Sequence, residues 1–270
     1  MRRKIAEEIL RLIDARMPFA VATVIKARGS VPGKLGARMI VQPDGQQLGT
    51  IGGAGVEHQV HAHCLDAIRN KRGDLFKYLL WHKSAKGVDS CCGGDVEVHV
   101  EYIGPDPHVL ICGGGHVGLD VARLCEQLEY DYSVYDERPA FASRERFPAA
   151  RQLHAGDHTT GFPEAGLSGF SHVILLGHSH HIDLALLKRI VPHYEGYVGV
   201  IASQKKKQEF FSALSEDGCT SEQLARLDCP IGIAIGAVTP AEIAVSIMAS
   251  MIQASRSPQP EPALKPGAVP

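Results

Sequence analysis

The stretch from His108 to Asp136 constrains the fold of this chain more than any other. Val109, Leu110, Ile111 and Cys112 form a short, uniformly apolar run, as a strand buried on both faces of a parallel sheet requires. Gly113, Gly115 and Gly118 follow as G-x-G-x-x-G, with Gly114 inside the turn. Val117, Val121, Leu124, Cys125 and Leu128 then recur at helical spacing. A second apolar run, Tyr132 to Tyr135, ends in Asp136. That acid lies 136 − 118 = 18 residues past the last glycine, close to the ~20 at which a ribose-binding acid is expected. Strand, glycine turn, helix, strand and acid arrive in the order of a βαβ unit that holds a ligand at its turn.

The chemistry of such a turn favours an anion. Glycines let backbone N–H groups approach a phosphate, and the free amides and partial positive charge of the helix start, here His116 and Val117, stabilise it. The motif predicts a nucleotide-type or phosphate-bearing ligand without naming it.

From 108 to 254 strands and helices alternate, which predicts a doubly wound parallel sheet of Rossmann type. The last helix, Pro240 to Ala254, carries a capping box in Thr239 and Glu242. Gly104-Pro105-Asp106-Pro107 reads as a linker, so residues 1–104 form a smaller α+β domain, 105–254 the Rossmann-like domain and 255–270 a Pro-rich, disordered tail. Within the first domain, a helix ending near Met17 precedes the strand Phe19–Ala27. A hairpin turns at Pro43-Asp44-Gly45, and Gly52-Gly53 then opens another helix, with Glu57 in its first turn. This second glycine junction is either an anion site or tight packing; the residues alone favour neither.

Composition removes several classes of function. A formal net charge of −2 argues against nucleic-acid binding, and no run approaches the ~20 apolar residues of a membrane span. The charged, discontinuous N-terminus does not read as a signal peptide, so a cytoplasmic protein is expected. Seven cysteines, scattered through apolar segments apart from Cys91-Cys92, suit reduced, buried thiols. His178, His180 and His181 sit where a strand becomes a helix; ligand contact and capping explain them more economically than a metal does.

The motifs together resemble one family, the xanthine dehydrogenase accessory proteins of the XdhC/CoxI type. They are G-S-V-P with Gly36-Ala37, G-T-I-G-G from Gly49 to Gly53 with Glu57, C-G-G at Cys92 to Gly94, G-G-G-H-V-G at 113 to 118, D-E-R at 136 to 138, P-I-G at 230 to 232, and T-P-A-E-I-A-V-S-I at 239 to 247. The resemblance implies a chaperone, more a cofactor-insertion protein than an enzyme. Such a chaperone binds molybdenum cofactor (molybdopterin), protects it while a cysteine desulfurase-type sulfurase partner installs the terminal sulfido ligand, and delivers it to a xanthine dehydrogenase-like molybdenum hydroxylase. It also implies a cofactor cleft formed by Gly52, Gly53, Glu57, Gly113, Gly114, Gly115, His116, Gly118, Asp136, Arg138 and His178, and a homodimer. Where similar sequences read G-G-G-C-x-E, this chain has Gly52-Gly53-Ala54-Gly55-Val56-Glu57, which leaves Cys92 as the thiol to approach molybdenum or sulfur. The G-S-R-x-K of similar sequences is altered to Ala202-Ser203-Gln204-Lys205-Lys206, so no phosphate-contacting arginine carries over. The competing expectation is an NAD(P)-dependent oxidoreductase with Asp136 on the ribose and His116 or His178 as proton donor.

Overall fold

The computed structural model describes residues 2–80, 94–255 and 264–266. The chain divides into two compact units, Met1–Pro105 with Pro258–Pro270, and Asp106–Ser257.

The first unit is built on an antiparallel sheet whose alternation directs two sets of side chains to two helices. Its long strand β1 (Phe19–Gly29) pairs with β2 (Arg38–Val41) and with β5 (Gly94–Ile103); β3 (Gln47–Gly49) extends one side and β4 (Asp74–Leu80) the other. Successive strand residues face opposite ways. Ala20, Ala22 and Val24 therefore meet Val56, Val60 and Cys64 of α2 (Ala54–Asn70). Phe19 and Val21 meet Ile5 and Leu12 of α1 (Arg2–Asp14). Part of the tail expected to be disordered is ordered: Leu264–Pro266 forms β12, parallel to β4, with Lys265 paired to Asp74. The exposed edge of β4 offers main-chain partners to any extended segment that reaches it, whatever its composition.

The second unit is the doubly wound sheet that the alternation predicts. All six strands are parallel, in the order β11-β10-β9-β6-β7-β8. They are β6 (His108–Cys112), β7 (Asp131–Asp136), β8 (Leu153–Ala155), β9 (His172–Leu175), β10 (Tyr197–Val200) and β11 (Leu227–Asp228). The short strands β8 and β11 form the two edges of the sheet. The helices α3 (His116–Gln127) and α7 (Pro240–Ser255) cover one face through Val121, Cys125, Ile247 and Met251. The opposite face is covered by α4 (His180–Ile190) and α5 (Gln204–Glu216), with Leu187 and Phe210, and α6 (Ser221–Ala225) lies beside α5. Every residue of β6 is buried, Leu110 and Cys112 towards α4 and Val109 and Ile111 towards α3. The capping box forms: the Thr239 amide donates to Glu242 Oε2 at 2.9 Å and the Glu242 amide to Thr239 Oγ1 at 3.3 Å.

Candidate functional site

The strand order reverses at β6, which lies between β7 and β9, and the crevice outside the carboxyl ends of such a pair is where open parallel sheets bind ligands. Three backbones fit together there because side chains are missing. A Cβ on Gly113, whose φ is +120°, would lie 2.7 Å from the Leu176 carbonyl oxygen. One on Gly114 would lie 1.9 Å from that of Phe141, and one on Gly118 would lie 2.0 Å from that of Gly113. These three glycines set the packing of turn, strand and helix. Gly115 is different: it is the N-cap of α3, no side chain caps it, and a Cβ there would meet nothing within 4 Å. An open position directly over uncapped helix amides is what an anion requires.

Around this turn the charges are organised by Asp136, which is 5% exposed. Its Oδ2 accepts from the Gly114 amide at 2.9 Å and from Arg138 Nη2 at 3.0 Å. Its Oδ1 accepts from the Arg138 amide at 3.0 Å and Nε at 2.9 Å. Burial alone would raise this carboxyl, but the arginine and the two amides outweigh it and hold the group below the ordinary aspartate value. The Arg138 guanidinium in turn lies 3.8 Å over the Phe141 ring. Arg146 reaches the turn from the segment between β7 and β8. It donates from Nε to the Gly114 carbonyl at 2.8 Å and from Nη2 to that of Gly115 at 3.2 Å. This arginine was not legible in the sequence, since its acceptors are main-chain oxygens 32 and 31 positions away.

Beside the turn, on the α4 side of the sheet, is a small crevice of about 30 Å³ lined by Cys112, Gly113, Tyr135, Gly177, His178 and Asp183. His178 and His116 are exposed at its rim and at the start of α3. The other two histidines of the cluster diverge: His180 pairs with Glu209 and stacks on Phe210, while His181 meets the edge of His158. The Cys112 thiol is pushed up by burial and by the neighbouring carboxylates Asp183 and Asp136, so it is a neutral wall of the crevice.

The second glycine junction lies in the other unit and has its own logic. Gly52 and Gly53 both have φ near +84°. A Cβ on Gly52 would meet the Pro32 carbonyl oxygen at 2.5 Å and one on Gly53 the Pro32 ring at 2.6 Å. Glu57 accepts from Gln47 Nε2 at 2.7 Å and from the Thr50 hydroxyl, binding the hairpin to the first turn of α2. Gly52 also borders an open groove floored by Ile5, Ile9 and Leu35, with Lys34 and Arg38 at its side. The predicted residues thus form two groups, Gly52, Gly53 and Glu57 in one unit, and Gly113 to Gly118 with Asp136, Arg138 and His178 in the other. Cys92 lies outside the described residues. The five described cysteines are free thiols, four of them buried.

A doubly wound parallel sheet with an open glycine turn at its switch point defines a Rossmann-type domain. The XdhC Rossmann domain model matches residues 109–251, and that of the XdhC and CoxI family matches residues 12–78. The chain belongs to the XdhC and CoxI family. It is 32% identical to the uncharacterized protein YqeB of Escherichia coli over 91% of its own length and 45% of the relative's. It is 28% identical to a Bacillus subtilis protein described as a probable xanthine dehydrogenase component, over 57% of its own length and 44% of the relative's. The chain therefore spans under half the length of these curated relatives. A crystal structure from Bacillus halodurans, described as a xanthine dehydrogenase, superposes with a TM-score of 0.48 at 20% identity, covering 95% of this chain and 97% of that one. No helix among the described residues is long and apolar enough to cross a membrane.

Proposed function

We infer that this protein serves the maturation of a xanthine dehydrogenase-type molybdenum hydroxylase. In this reading it binds molybdenum cofactor as cargo, shields it while a sulfurase partner installs the sulfido ligand, and passes it to the apo-hydroxylase. A homodimer is the form we expect. The observation that carries the reading is Gly115, in a chain of this family: open space above an uncapped helix start, where the phosphate of molybdopterin would be held by backbone amides. The residues fit that end of the cargo. Gly113, Gly114 and Gly118 shape the turn, Asp136 and Arg138 brace it, and Arg146 adds positive charge at its carbonyls. The cargo's own chemistry is the metal–dithiolene centre used by the client enzyme; this chain's part is to bind, orient and release it.

Reconstitution tests the reading. Apo-hydroxylase supplied with sulfurated cofactor in the presence of this protein should gain activity faster, and to a higher final level, than with cofactor alone. Equal activation with and without it would refute the role. A Cys92→Ser variant should retain phosphate-end binding yet deliver less active, sulfurated cofactor, and unchanged delivery would remove the thiol from the account.

A further inference from the structure

Asp183 is the least explained charged group in the Rossmann unit. It stands in the first turn of α4, is 2% exposed, and faces the crevice beside the glycine turn. Its Oδ1 fills the space into which a Gly177 side chain would project, 2.2 Å from that Cβ position. No hydrogen bond reaches its carboxyl among the described residues. With no protein donor, its oxygens keep contact with solvent only where they border the crevice, so a ligand donor entering there would meet them. Asp136, by contrast, has committed both oxygens to Gly114 and Arg138, although spacing places it at the ribose position.

We propose that Asp183 is the ligand-reading carboxyl of this crevice, accepting an O–H or N–H donor from the part of a phosphate-bearing ligand that lies beyond the glycine turn. The proposal rests on the reading of that turn as a phosphate cradle. The ligand class is a phosphate ester carrying either a sugar cis-diol or the amino-oxo edge of a pterin or guanine, since both present donors that a carboxylate can accept. The crevice suits this role. Tyr135, Ile182 and Leu186 supply apolar walls, and its enclosed space of about 30 Å³ admits the donor-bearing tip of a ligand, one hydroxyl or amino group at a time, while the rest of the ligand lies outside. Burial raises the carboxyl to about 6, with Lys206 opposing, so it is an acceptor at neutral pH. The other ionisable groups facing it are Cys112 of β6, Tyr135, Asp136 and Glu137 at the end of β7, and His178 of the β9–α4 loop.

Equilibrium binding at pH 8 of four probes decides the matter: GDP, 2′,3′-dideoxy-GDP, IDP and inorganic pyrophosphate. The wild-type protein should bind GDP about tenfold or more tightly than pyrophosphate, the effect of charge-assisted hydrogen bonds. Asp183→Asn should erase that preference and leave pyrophosphate binding unchanged or tighter. Loss with the dideoxy probe assigns the diol, and loss with IDP assigns the base edge. The wild-type protein supplies an arm that needs no variant. Its ratio of GDP to pyrophosphate affinity should fall as pH drops from 8 to 5, because the ionisation of the phosphates is common to both probes. A preference that survives in Asp183→Asn, or that does not change with pH, overturns the proposal while the cradle stands. Failure of GDP and pyrophosphate alike to bind the wild type overturns the cradle, and this proposal with it.

Discussion

The two glycine-rich turns of this chain both lead into a helix, and they use glycine for different ends. At Gly52-Gly53 both residues take left-handed backbone conformations and lie directly on Pro32, so the space a side chain would need is already filled. At Gly113 to Gly118 three glycines are similarly closed in, by Leu176, Phe141 and Gly113 itself, but Gly115 stands in the open above the start of α3. A glycine with nothing around it is not required by packing. In the proposed reading, its lack of a side chain leaves room for the phosphate of the cargo at the uncapped helix start. Each turn also has an acid, and here too they differ: Glu57 binds a hairpin to a helix, whereas Asp136 braces the turn itself through the Gly114 amide.

Substitutions can break this comparison. Gly118→Val would drive a side chain into the Gly113 carbonyl and should cost about 3 kcal/mol or more, read by urea unfolding. Asp136→Ala leaves the Gly114 amide and the Arg138 guanidinium without their acceptor, and a loss of about 2–3 kcal/mol is expected at neutral pH. The sign with pH follows from the depressed carboxyl: its contribution is present above the unfolded value of 3.8 and is lost as pH falls through the lower folded value. The gap between wild type and Asp136→Ala should therefore close in acid, and a gap that widens below pH 4 would contradict the assigned network. Gly52→Ala combines a positive φ with a backbone collision and should cost about 2 kcal/mol. Gly115→Val should have the smallest effect on the fold, within about 1 kcal/mol, because its Cβ meets nothing. If it unfolds the protein as Gly118→Val does, the distinction between the turns fails.

Much of this was legible in the sequence because glycine encodes backbone geometry directly. The G-x-G-x-x-G turn, the buried strand before it and the capping box of Thr239 and Glu242 are all local, and all formed where spacing put them. Spacing fixed where Asp136 sits but not whom it meets, and the residue that takes up its carboxylate, Arg138, is only two positions on. Arg146 and Asp183 carry no pattern at all: one binds carbonyls more than thirty residues away, and the other is notable only for the partners it lacks. The strand Leu264–Pro266 is similarly silent, since three residues held by main-chain pairing need no particular side chains.

The most direct measurement is anaerobic equilibrium binding of isolated molybdenum cofactor to the wild-type protein and to Gly115→Val, with NAD(H) titrated in parallel. The account predicts tight cofactor binding by the wild type, at least tenfold weaker binding by a folded Gly115→Val, and NAD(H) binding far weaker than that of the cofactor. Wild-type affinity in the variant, or saturable NAD(H) binding with no affinity for the cofactor, would contradict it.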